Sequence, residues 1–192
     1  GAEPWHVYDQ LDEIQEEVPF PVYTVKQNDG LLADIKNGLK GGRMASPPFF
    51  VAQQKGRGML RRQCTFEYKV RPIQRKIREL LGLKKGQRGS KEVAVRLWMG
   101  ISMDETIRMK PNPVKWIENI YPLIDKEMHR YHCLQWMEKN GYKQPQKSAC
   151  YFCPYHDDKT WLNLKNNDPD SWMLAVEIDK NIRKGVHGTQ EN

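Results

Sequence analysis

The apolar positions of the first eighteen residues recur along one side of a helix: Trp5, Tyr8, Leu11 and Ile14. Pro4 suits a first turn there, and Glu3 favours a helix N-terminus. Pro19 and Pro21 end the segment, and Val22-Tyr23-Thr24-Val25 predicts a short strand. A second helix is predicted over Leu31 to Leu39, stopped by Gly41-Gly42. Ser46-Pro47-Pro48 breaks the chain before Phe49-Phe50-Val51, a short strand or loop. From Lys69 to Leu81 the spacing is helical again, with Pro72 in the first turn and Ile73, Ile77, Leu80 and Leu81 as its buried stripe.

Val93 to Ile101 is the strongest strand pattern, a nearly continuous apolar run as expected of a parallel strand covered on both faces. Helices are predicted over Val114–Ile120, Asp125–Asn140, Asp157–Asn166 and Pro169–Arg183. Strands set between helices predict an α/β fold. The 192 residues suit one domain, with an α/β portion over 1–110 and a helical portion over 111–192.

Composition changes little in this picture: 39% of residues are hydrophobic and 29% charged, the profile of an ordinary globular protein. No apolar run approaches the ~20 residues that span a bilayer, and no secretory signal is visible, so the cytosol is the expected compartment. Charge is more informative. Thirteen Lys and Arg lie between Lys55 and Lys91 against Glu67 and Glu79, a local balance of +11 within a net charge of +7. Such a concentration predicts an anionic partner, a nucleotide or a nucleic-acid backbone, or else a solvated helix face.

Three constellations carry candidate chemistry. Cys64, Cys133, Cys150 and Cys153 are the only cysteines. Cys150-x-x-Cys153 puts two thiols on a tight turn, and four thiolates suit either tetrahedral Zn²⁺ or a cubane iron–sulfur cluster. A redox C-x-x-C and plain structural cysteines are the other readings. His129, four residues before Cys133, could replace one thiolate. Asp104, Glu105 and Arg108 follow the predicted central strand, where open parallel sheets bind ligands, and could orient a nucleotide or Mg²⁺. Arg61, Arg62 and Lys69 surround a helix start, where forked donors and the positive end of the helix dipole favour phosphate or sulfate.

The motifs Arg-Arg-Gln-Cys-Thr-(x3)-Lys-(x2)-Pro at 61–72, Gly-Ile-Ser-x-Asp-Glu at 100–105, Tyr-Pro-Leu at 121–123 and Lys-Ser-Ala-Cys-x-x-Cys-Pro-Tyr at 147–155 occur in one order. That order resembles the phosphoadenosine-phosphosulfate (PAPS) reductase-like branch of the ATP-pyrophosphatase superfamily, found in bacteria and their phages. The resemblance covers nearly the whole chain and implies a parallel-sheet, Rossmann-like core. It implies an adenine nucleotide or sulfonucleotide as substrate, ATP and Mg²⁺ included, in sulfur transfer or adenylation. Lys69, Asp104, Glu105 and Arg108 are then the candidate catalytic residues, and Arg61, Arg62, Lys69 and Arg108 the anion binders. Cysteines matching Cys64, Cys150 and Cys153 help hold a [4Fe–4S] cluster in such relatives, and Cys133 is the expected fourth ligand, with Zn²⁺ the alternative.

The resemblance departs from the pattern at both ends. The family's Ser-Gly-Gly-x-Asp-Ser phosphate loop has no counterpart, so the chain is expected to be a fragment lacking that loop and a strand or two. The family's terminal catalytic cysteine is also missing, which argues against a thioredoxin-linked PAPS reductase. A zinc-stapled basic domain gripping nucleic acid through Lys55–Lys91, or a degenerate partner subunit, are the alternatives from other classes.

Overall fold

The computed structural model describes residues 2–40, 47–53, 56–145 and 148–183 of the chain. It is mixed α/β and forms two compact units, one built from the chain up to Leu80 together with the part after Pro145, the other from Leu81–Pro145. Lys55 of the basic stretch, Lys147 of the C-x-x-C motif, and the expected stop and break at Gly41-Gly42 and Ser46 lie outside the described residues.

The first unit contains helices α1 (Trp5–Glu17) and α2 (Leu31–Leu39), strands β1 (Phe50–Gln53) and β2 (Gly56–Met59), and helix α3 (Arg71–Leu80). Helices α6 (Asp158–Asn167) and α7 (Pro169–Ile182) complete it. β1 and β2 pair antiparallel, Phe50 opposite Met59. The core joins Ile35 of α2, Phe49, the Tyr151-Phe152 pair inside the C-x-x-C turn, Leu164 of α6, and Ala175, Ile178 and Ile182 of α7. Each fully buried aliphatic side chain there is worth about 1.5–3 kcal/mol. Asp157 caps α6 by accepting the Thr160 N–H at 2.8 Å, and Asp168 caps α7 by accepting the Ser171 N–H at 3.2 Å. Pro169 fits the first turn of α7, where its missing N–H costs nothing.

Several expectations change here. Val22–Val25 forms no strand and carries no regular secondary structure. The apolar side of α1 is not its core face: Trp5 is 66% exposed and Leu11 55%, and only Val7 is buried. A strict spacing of three slips about 60° per step around a helix of 3.6 residues per turn, so those four positions spread over half its circumference. The α3 stripe does form a true row, yet Ile73 is 40% and Leu80 56% exposed, so it is not buried. A π-helical turn, Phe66–Val70, leads into α3.

The second unit carries β3 (Val95–Trp98), β4 (Ile117–Ile120), α4 (Pro122–Asp125) and α5 (Arg130–Lys139). β3 and β4 pair in parallel, Val95 opposite Ile117 and Trp98 opposite Ile120. β4 replaces the helix expected over Val114–Ile120. The Trp116 carbonyl accepts the N–H groups of Ala94 and Val95, and this non-local ladder overrides the local helical spacing. β3 is shorter than expected and not covered on both faces: its residues alternate between half-buried and exposed, and Trp98 is 71% exposed. Of the helix expected over Asp125–Asn140, α5 covers Arg130–Lys139; ahead of it the chain turns after α4 at Glu127, which adopts a left-handed φ of 51°.

Candidate functional site

The first unit gathers residues from three distant stretches around Cys150. Cys64 opens the turn before α3, Lys69 lies in the π-helical turn, and Cys150 and Cys153 flank Tyr151-Phe152. The Cys153 N–H donates to the Cys150 carbonyl at 2.8 Å, closing a tight turn. That turn is pinned on both sides. The Tyr151 N–H donates to the Ala2 carbonyl at 2.9 Å, and His156 Nε2–H donates to the Cys150 carbonyl at 2.9 Å.

Burial pushes the Cys150 thiol up to about 11, and the charges of Glu3, Cys153 and Cys64 push the same way, while Lys69 opposes them. Three cysteines therefore share one neighbourhood, close enough to feel one another. Burial likewise raises the Tyr151 hydroxyl to about 12, with Cys150 adding to the effect. Glu3, which sequence reading used only as a helix-start signal, takes part. It lies 3.6 Å from Lys69 Nζ and accepts from Ser148 Oγ at 2.7 Å. Arg62 stands over the Tyr155 ring, 5.4 Å from its centroid, and Arg61, Arg62 and Lys69 are exposed. All four cysteines are free thiols. Among the described residues, no group of three or more His, Cys, Asp or Glu side chains is arranged as a metal-binding set. The thiols suit a soft metal or cluster by type.

Cys133 belongs to the second unit. It sits on α5 and lines a cavity of about 610 Å³ with Trp98, Met99, Met128 and Trp136. In this unit Asp104 follows β3 in a short 3₁₀ turn and reaches the start of α5. Its carboxylate accepts the Arg130 N–H at 2.5 Å and a hydrogen bond from His129 Nδ1 at 3.1 Å. These two bonds, the Arg130 N–H first, pull the Asp104 carboxyl down to about 2. Glu105 and Arg108 pair with each other at 2.5 Å. The Asp104–His129 contact was not legible beforehand. His129 stands just ahead of α5, the place of an N-cap, and that was its only local signal.

Compared with family models, with curated proteins and with solved structures, the chain has no match. No helix among the described residues is long and apolar enough to cross a membrane.

Proposed function

We propose that this chain is a PAPS reductase-like protein of the ATP-pyrophosphatase type, acting on an adenine nucleotide or sulfonucleotide in sulfur transfer or adenylation. The observation that supports this reading most is that Cys64, Cys153 and Lys69 all lie near enough to Cys150 for their charges to act on its thiol. The parallel β3–β4 pair, with Asp104 just past the carboxyl end of β3, suits a Rossmann-like core. Free thiols suit a reducing cytosol.

On this reading Lys69 is held by Glu3 at 3.6 Å and stays exposed, so it is available to a phosphate or sulfate oxygen without losing its orientation. Arg62, over the Tyr155 ring, offers an exposed guanidinium fork. Cations placed before the substrate arrives stabilise charge that develops on its oxyanion. Arg61 adds an exposed positive charge next to Arg62 in sequence. Asp104, Glu105 and Arg108 form the acid and cation set of the second unit. Cys64, Cys150 and Cys153 of the first unit are the residues that would hold a [4Fe–4S] cluster or Zn²⁺. A bound centre would hold its cysteine ligands in fixed positions and, if iron–sulfur, would supply redox capacity.

The test is purification without oxygen followed by assays of iron, acid-labile sulfide and zinc, with calorimetric titration of adenosine phosphosulfates. Bound metal that is lost in Cys150→Ser, and sulfonucleotide binding weakened at least tenfold in Lys69→Ala, are expected. A metal-free chain indifferent to both nucleotides sinks the proposal.

A further inference from the structure

In the first unit, the start of α1, the C-x-x-C turn and helix α6 enclose a cavity of about 580 Å³, inside the range of small-molecule sites. Trp5 and His6 come from α1, Tyr151 from the turn, and Lys159, Asn163 and Asn167 from α6. The last three are four apart in sequence, so they rise along a single helical face. The bond from the Tyr151 N–H to the Ala2 carbonyl joins the first two walls. Arg62 and Lys69 do not belong to the lining.

Tyr151 is only 5% exposed, yet its hydroxyl has no hydrogen-bond partner among the described residues. An unpaired buried hydroxyl is costly, and native proteins rarely keep one unless a bound molecule completes it. Asp168, which lines the same cavity, is near enough for its charge to act on that hydroxyl. Its Oδ1 accepts the Ser171 N–H, and its second oxygen can accept a further bond. Asn167 Nδ2 donates to Asn163 Oδ1 at 2.6 Å, so this amide pair still offers one NH₂ group and one carbonyl oxygen. Trp5 is 66% exposed, and His6 meets it nearly at right angles with 6.0 Å between ring centroids. An indole face is thereby open for stacking.

Charge narrows the guest. Asp157 and Asp168 against Lys159 make the lining net negative when its histidines are neutral, which disfavours a phosphate or sulfate inside. A fitting guest is uncharged, carries a flat ring for Trp5, and sets an acceptor for the Tyr151 O–H beside a donor for Asp168. A nucleobase has such an edge and such a face, and its ribose adds hydroxyls for the asparagine pair. We propose that this cavity is a nucleoside site, with the base stacked on Trp5, its edge read by Tyr151 and Asp168, and the sugar against Asn163 and Asn167. The site stands on its own groups and does not require that Lys69 and Arg62 hold a phosphate.

The test is isothermal titration calorimetry of the full chain with adenosine, guanosine, cytidine and uridine, which carry no phosphate for Lys69 and Arg62 to hold. At least one should bind with a dissociation constant below about 1 mM. Tyr151→Phe should weaken that binding about tenfold and still melt at or above the wild-type temperature, because the hydroxyl it removes bonds to no described residue. Trp5→Ala, at an exposed position, should weaken binding by about the same factor without lowering the melting temperature. A wild-type chain that binds none of the four overturns the proposal, even if it binds adenosine phosphosulfates. Nucleoside binding without any preference for the phosphosulfates upholds this site and counts against the sulfonucleotide reading alone. A Tyr151→Phe chain that melts earlier than wild type overturns the proposal, since its hydroxyl then bonds to the protein itself. Undiminished nucleoside binding in Tyr151→Phe or in Trp5→Ala overturns it as well.

Discussion

Asp104 and His129, twenty-five positions apart, are joined by a hydrogen bond of 3.1 Å, and the other Asp104 oxygen accepts the Arg130 N–H. The turn after β3 is thereby tied to the first residue of α5. Because a carboxylate only accepts, His129 presents Nδ1–H to Asp104 and leaves Nε2 facing away. A carboxylate holding an imidazole in this manner fixes both its tautomer and its orientation.

The folded Asp104 carboxyl sits at about 2, below its ordinary 3.8. A depressed folded value means that the contribution is fully present above the unfolded value and is lost as pH falls towards 2. Asp104→Ala should therefore melt below wild type at neutral pH. The two melting curves should converge as pH is lowered from about 4 to 2. Thermal unfolding followed by circular dichroism checks this, and a gap that persists at pH 2 rejects it.

Cys150 should be the slowest of the thiols to alkylate near neutral pH when the chain carries no metal. Its thiol is held up at about 11, first by burial and then by Glu3. Only the thiolate reacts, so its reaction should speed up steeply towards pH 11. Glu3→Gln removes an anion and frees Lys69, and both changes favour the thiolate. Iodoacetamide labelling read by peptide mass spectrometry should show faster Cys150 labelling in this variant. For stability the sign is opposite to that of Asp104: the Cys150 contribution holds below about pH 9 and fades as pH rises through 11.

Gly89→Ala should destabilise the second unit. A Cβ at this position would lie 2.1 Å from Trp116 Nε1, and the Trp116 ring is buried at 8% exposure. Neither the ring nor the Gly89 backbone can yield cheaply, so a cost of about 1–3 kcal/mol is expected. Denaturant unfolding monitored by tryptophan fluorescence measures it, and a shift under half that range counts against this packing.

Asp157→Ala should cost about 1 kcal/mol, the usual loss for an N-cap that accepts a helix N–H. Here the carboxylate accepts from both Thr160 N–H and Thr160 Oγ1, at 2.8 and 2.5 Å. Asp157→Asn should keep most of the stability, since an amide oxygen can accept the same bonds. Equal losses in the two variants would show that charge, rather than capping, is what matters.

The helices α2, α6 and α7 could be read from the chain because their determinants are local: a capping aspartate, a proline in the first turn, a row of apolar residues. The thiol inventory and the basic stretch were legible for the same reason. What tertiary structure decided is whatever depends on a distant partner. Ile117–Ile120 is a strand because β3 offers it a ladder, and Asp104 finds its partners only where the start of α5 is brought to it. The exposure of the α1 and α3 rows belongs to this class as well. Spacing along a chain shows which residues share a face, whereas what covers that face is settled by packing in three dimensions.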